Sequence, residues 1–105
     1  MKGTSDIRLY SDSYGETELN KNEKGNYVLT DLLYSKFISK PYNVLLYIKN
    51  AGDHNAYDVS INVINANTNI KVADVLKPNE LISFVLNINE ILNKNIVIVI
   101  KYGNV

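Results

Sequence analysis

Ile82-Ser83-Phe84-Val85-Leu86-Asn87-Ile88 decides the fold. Ile82, Phe84, Leu86 and Ile88 fall on every second position, with Ser83, Val85 and Asn87 between them. A period of two sends alternate side chains to opposite faces of an extended chain, so one set is buried and the other faces outward. A helix of this length would scatter the four large residues around its circumference.

The same rhythm recurs on both sides of this stretch. Val44, Leu46 and Ile48 alternate with Leu45, Tyr47 and Lys49. Tyr57, Val59, Ile61 and Val63 alternate with Asp58, Ser60 and Asn62. Ile96, Ile98, Ile100 and Tyr102 alternate with Val97, Val99 and Lys101. β-Branched and aromatic residues dominate these runs, as pleated half-buried surfaces favour. Shorter strands are expected over Asp6 to Tyr10, Tyr27 to Thr30 and Ile70 to Val75.

Turn chemistry separates the runs. Asn50-Ala51-Gly52-Asp53 closes one strand and the segment from Asn65 to Asn69 closes another. In Lys77-Pro78-Asn79-Glu80, Pro78 presets φ at the second turn position and Asn79 tolerates a positive φ at the third. Single helical turns are expected at Asp31 to Lys36 and at Asn89 to Lys94, and neither is long enough to carry a domain. Strands every 8 to 12 residues with turns between them predict an all-β, antiparallel sandwich of about seven strands. Its core is expected to contain Val44, Leu46, Ile48, Val59, Ile61, Val63, Phe84, Leu86, Ile98 and Ile100. The segment from Asp12 to Gly25 is rich in Ser, Glu, Asn and Lys. It places a polar N-terminal arm or loop region over residues 1–24 and the sandwich over 25–105.

A chain of 105 residues is one ordinary domain. Eleven acidic residues balance eleven basic ones, which argues against a general attraction to nucleic acid or an anionic membrane. Without cysteine, disulfides, thiolate zinc sites and thiol nucleophiles are excluded. The first residues, Met1 to Asp6, carry no apolar core of a secretory signal, and no run approaches the length of a membrane span.

From about Tyr42 to Tyr102 the chain resembles Ig-like sandwich modules of the CARDB and related bacterial surface type. The matching pieces are Tyr47-Ile48-Lys49-Asn50-Ala51-Gly52, then Asn55-Ala56-Tyr57-Asp58-Val59, then Leu76-Lys77-Pro78-Asn79-Glu80, where Asn79 stands in place of the usual Gly. It is also similar to small Ig-like proteins of phage particles, through Asp6-Ile7-Arg8-Leu9-Tyr10 and the stretch from Lys40-Pro41-Tyr42 to Gly52. Sixteen Asn, twelve Ile and ten Lys fit an AT-rich coding sequence. The resemblance implies an Ig-like fold and a structural part in a particle, as capsid decoration, head-tail or tail component. Its partners would be other structural proteins of the same assembly or further copies of the chain, and its location a virion. The alternative is a carbohydrate- or cell-surface-binding module on a bacterial surface.

No residue pattern assembles a catalytic set, and an enzyme, a cofactor and a metal are not expected. His54 is the single histidine, and beside Asp53 and Asp58 it reads as a solvated loop residue. Asp12-Ser13-Tyr14-Gly15-Glu16-Thr17-Glu18 gathers oxygen ligands of the kind calcium takes, but the EF-hand spacing is absent. Asp58, Asp74, Glu80 and Glu90 are not paired by anything in the sequence as glycoside hydrolysis requires. Tyr10, Tyr14, Tyr34 and Tyr42 are the aromatic residues from which a carbohydrate platform would be built. Lys21, Lys24, Lys36 and Lys40 are diluted by acids, unlike a nucleic-acid groove.

Overall fold

The computed structural model describes residues 3–29, 42–64, 68–88 and 96–103. They form eight strands: β1 (Ile7–Tyr10), β2 (Asn20–Lys21), β3 (Tyr27–Leu29), β4 (Tyr42–Asn50), β5 (Ala56–Val63), β6 (Thr68–Leu76), β7 (Leu81–Ile88) and β8 (Ile96–Gly103). The helical turns expected at 31–36 and 89–94 lie outside the described residues.

Two antiparallel sheets pack face to face, one in the order β1-β4-β7 and the other β2-β3-β8-β5-β6. β1-β4-β7 opposite β8-β5-β6 is the A-B-E and F-C-C′ arrangement of Ig-like sandwiches. One strand departs from that scheme. The place beside β8 that the following G strand would take is held by β3, which precedes all the other strands of the Ig-like order except β1.

Side chains explain the stacking. Leu9, Leu46, Ile48, Ala56, Val59, Ile61, Val63, Leu76, Leu86 and Ile98 are fully buried between the sheets. Each large one contributes ~1.5–3 kcal/mol by leaving water. Eight of the ten core residues expected from the alternation are buried, while Phe84 and Ile100 are half-buried against that core. The alternation hides a fault in β5. Asp58 has φ 51°, and the pairing of β5 slips by one residue between Tyr57 and Ser60 against β8. The bulge reverses the phase, so Ala56 points inward and Tyr57, expected in the buried set, is only half-buried.

The boundary expected at residue 24 falls inside the sandwich. Ile7–Tyr10 pairs with β4 from Asn50 to Tyr47, and Ile7, Leu9 and Leu19 are buried. The polar residues of this region surround an apolar minority, Ile7, Leu9 and Leu19, that is spent on the core.

Candidate functional site

Three regions concentrate chemistry, and the first is the end of β4. Asn50 is fully buried, yet every polar atom of its carboxamide is satisfied. Oδ1 accepts from the backbone N–H of Asp6 at 3.2 Å and of Gly52 at 3.0 Å. Nδ2 donates to the carbonyl of His54 at 2.7 Å and of Leu76 at 2.9 Å. The Asn50 backbone adds a bond to the Glu80 carbonyl at 3.1 Å and another from the Asn79 N–H at 2.7 Å. One side chain thus ties β1, the 51–55 loop and β6 together across both sheets. The Asn-x-Gly spacing has a physical cause here. A Cβ at Gly52 would collide with the backbone of Thr4, Ser5 and Asp6, which crosses directly over it. The turn after β6 behaves as its residues predict, with Asn79 at φ 66° and Glu80 N–H donating to the Lys77 carbonyl at 3.0 Å.

The second region closes the side of the sandwich formed by β1 and β3. Leu19 N–H donates to the Leu9 carbonyl at 3.0 Å, and Glu18 bridges Tyr10 along the outer edge of β1. The chain then crosses to the other sheet and becomes β2. Side chains reinforce the crossing. Arg8 binds Asp6 at 2.7 Å and reaches Glu18 at 3.9 Å, while the Tyr27 hydroxyl donates to Glu18 at 2.5 Å. Lys21 sits 3.7 Å from Glu18 and 4.9 Å from the centre of the Tyr27 ring. Burial, with the hydrogen bond to Glu18 second, pushes the Tyr27 phenol above its ordinary range. The hydrogen bond and charge of Asp6 make Arg8 hold its proton more tightly still.

The third region is the opposite side, where β7 and β6 are the sheet edges. β7 pairs with β4 without a break from Leu81 to Ile88, and no described residue pairs with its other side. No residue of β7 is charged, and none is Gly or Pro. Val85 on β7 and Leu45 opposite it on β4 are 52% and 53% exposed on the outer face of this sheet, making one apolar pair in contact with solvent. On the inner face Ile82 and Phe84 stay half-buried, so this side of the core is thinly covered. β6 is a different kind of edge. It carries Lys71 and Asp74, and its register slips by one residue against β5.

The single-residue candidates fall elsewhere. His54 is half-exposed in the 51–55 loop with Nδ1 3.1 Å from Asp53, and that hydrogen bond holds the Asp53 carboxyl below the ordinary range. Asp58 lies apart from this pair, beside Lys71. Asp12 spends its carboxylate on its own loop, accepting from the N–H groups of Thr17 at 2.7 Å, Glu16 at 3.0 Å and Tyr14 at 3.3 Å. Those bonds, Thr17 first, lower its pKa. Among the described residues no three His, Asp or Glu side chains are arranged to hold a metal ion.

Asp58 and Asp74 do come together, sharing Lys71 at 3.4 Å and 2.5 Å on an exposed surface. Glu80 instead accepts the Lys77 N–H at 2.9 Å. Glu90, Tyr34, Lys36 and Lys40 lie outside the described residues. Tyr10 is buried, whereas Tyr14 is 80% exposed at the tip of the Asp12 loop.

No family model matches the chain, and neither a curated protein nor a solved structure matches it. The sequence reading did not single out the β7 edge or the Asn50 crosslink. The signal for the first was present in eight consecutive residues without a charge, glycine or proline between Leu81 and Ile88.

Proposed function

We propose that the chain is a non-enzymatic assembly module whose working surface is the β7 edge together with the apolar pair Leu45 and Val85 beside it. The observation that carries this reading is the uncharged, unbroken course of β7 at a sheet edge. Such an edge offers a row of unpaired backbone donors and acceptors, and an added strand is the partner that satisfies the whole row. Proteins with no use for such an edge blunt it with charges or bulges, as β6 is blunted by Lys71, Asp74 and its register slip. A place in a phage or virus-like particle, as capsid decoration, head-tail or tail component, is the narrower form of the same proposal and is supported by the resemblance of the Lys40 to Gly52 segment.

A photo-crosslinking residue at position 85, in the chain expressed in its source cell, tests the reading. One discrete adduct is expected there and none from position 71 on β6. Equal labelling at both positions, or none at either, would remove the β7 edge as the working surface. The second reading, carbohydrate binding, rests on the exposed ring of Tyr14. Loss of glycan-array binding on Tyr14→Ala would favour it.

A further inference from the structure

We infer that the partner strand at this edge is β7 of a second copy of the chain, added antiparallel about a two-fold axis; this rests on the proposal that the β7 edge is the working surface.

The hydrogen-bond phase of the β4–β7 ladder fixes which groups are offered. Asn50 N–H bonds to the Glu80 carbonyl, which makes Asn50 and Glu80 a hydrogen-bonded pair in line with the register Lys49↔Leu81 and Ile48↔Ile82. Antiparallel ladders alternate between bonded and non-bonded pairs. Ile82, Phe84, Leu86 and Ile88 therefore direct their N–H and C=O groups to β4. Leu81, Ser83, Val85 and Asn87 direct theirs away from it. The other flank of β4 agrees, since Ala51 N–H bonds to the Asp6 carbonyl at 2.7 Å, one position out of phase.

A two-fold axis perpendicular to the sheet keeps inner residues on the inner face. It therefore allows only registers that oppose residues of the same parity. The register centred on Phe84 uses all the offered groups, setting Leu81 against Asn87 and Ser83 against Val85 in both directions. It places Phe84 against its own copy and Ile82 against Leu86 on the half-covered inner face. Self-pairing opposes a strand to itself, so any charge on it is doubled across the interface. β7 has none, and the whole chain has a formal net charge of zero, so two copies meet without long-range repulsion. A closed two-fold pairing also uses up the edge, leaving no open row from which a filament could grow.

Sedimentation equilibrium of the pure chain from about 1 μM to about 1 mM, the weak end of specific affinities, tests this. The expected result is a mass rising from one chain to two and stopping there. Amide exchange at Ser83 and Val85 is expected to slow at least tenfold as the mass rises. Ser83→Pro removes an outward N–H without touching the β4 ladder, which edge strands tolerate, and is expected to give a monomer at every concentration with the melt of the wild-type chain at its most dilute, where that chain is a monomer too. If Ser83→Pro fails to fold, Val85→Lys decides, since it sets a charge at the interface on an exposed position.

A chain that stays monomeric throughout, a mass that grows beyond two, or a dimer unchanged by either substitution would overturn the self-pairing. A discrete adduct at position 85 with a different protein, alongside a monomeric pure chain, would sink this inference and leave the proposed function standing. Absence of both would sink the two together.

Discussion

The two sides of this sandwich handle their sheet edges in opposite ways. On the β1/β3 side the strands are short, and residues 17–21 stitch one sheet to the other through the Leu19 bond, the Glu18 bridge and β2. Arg8, Glu18, Lys21 and Tyr27 place charge and a buried hydroxyl over the seam. On the β6/β7 side the strands run nine and eight residues, and in the strand order neither has a neighbour on its outer side among the described residues. Closure is a stability device, and openness is what the proposed association would use. Substitutions on the two sides should separate along that line.

The largest effect should come from breaking what both sides share. Ile61 is fully buried on β5, paired with Ile100 of β8 on one side and Ile70 of β6 on the other. Ile61→Asp would place an unpaired carboxylate there, at a cost exceeding the ~5–15 kcal/mol that holds most domains folded. Loss of the far-ultraviolet strand signal is expected, and a normal melt would show the register to be misread. Next is Asn50→Leu. It orphans the His54 and Leu76 carbonyls and the Asp6 and Gly52 amides in one step, each loss costing ~1–3 kcal/mol. A fall in melting temperature of more than ~10 °C is expected, at ~4–8 °C per kcal/mol for a domain of this size.

Substitutions on the closed side should be milder and pH-dependent. Tyr27 has a raised folded-state pKa, so its contribution is whole below the unfolded value of about 10 and falls away as the pH rises through the folded value. Chemical denaturation between about pH 8 and 11 should show stability declining toward the alkaline end. Tyr27→Phe should flatten that decline while costing ~1 kcal/mol at neutral pH through the lost bond to Glu18. A decline unchanged by Tyr27→Phe would assign it elsewhere. On the open side, Val85→Lys should move stability by no more than ~0.5 kcal/mol, because the position is half-exposed and outside the core.

The smallest effect belongs to Asp12. Its folded-state pKa is lowered, so its contribution is present above about pH 4 and lost as the pH falls through the folded value. Amide exchange at Glu16 and Thr17 should quicken on acidification, and in Asp12→Ala at all pH values. Protection unaffected by the substitution would mean that the loop is held by other bonds.

Where the sequence alternates without a break, as in β4 and β7, its strands and buried faces could be read directly. The Lys77 to Glu80 turn was equally legible, because Pro78 and Asn79 have few other uses. The bulge at Asp58 was not, since a single left-handed residue leaves the spacing of Val59, Ile61 and Val63 intact and changes only what precedes it. Nor was β1 recognised as core, because its Ile7 and Leu9 sit beside a stretch whose average is polar. The Asn50 crosslink needs partners from residues 6 to 76, and no local pattern reports a contact of that range. The β7 edge was visible as a strand, but which strands lie at an edge is a property of topology. β6 borders β5 instead of β7, and that choice leaves the outer flank of β7 without a partner among the described residues.

β8 lies in the middle of its sheet, between β3 and β5, although it is made after the other seven described strands. On the ribosome, the β2–β3 hairpin and the β5–β6 hairpin must both wait, unjoined, until residues 96–103 emerge. The nascent chain therefore cannot settle strand by strand, and its long sequence separations place it among slowly folding topologies. During that interval the hydrophobic faces of both hairpins stand in solvent, and a chain halted before Ile96 would present them as a ready target for chaperones.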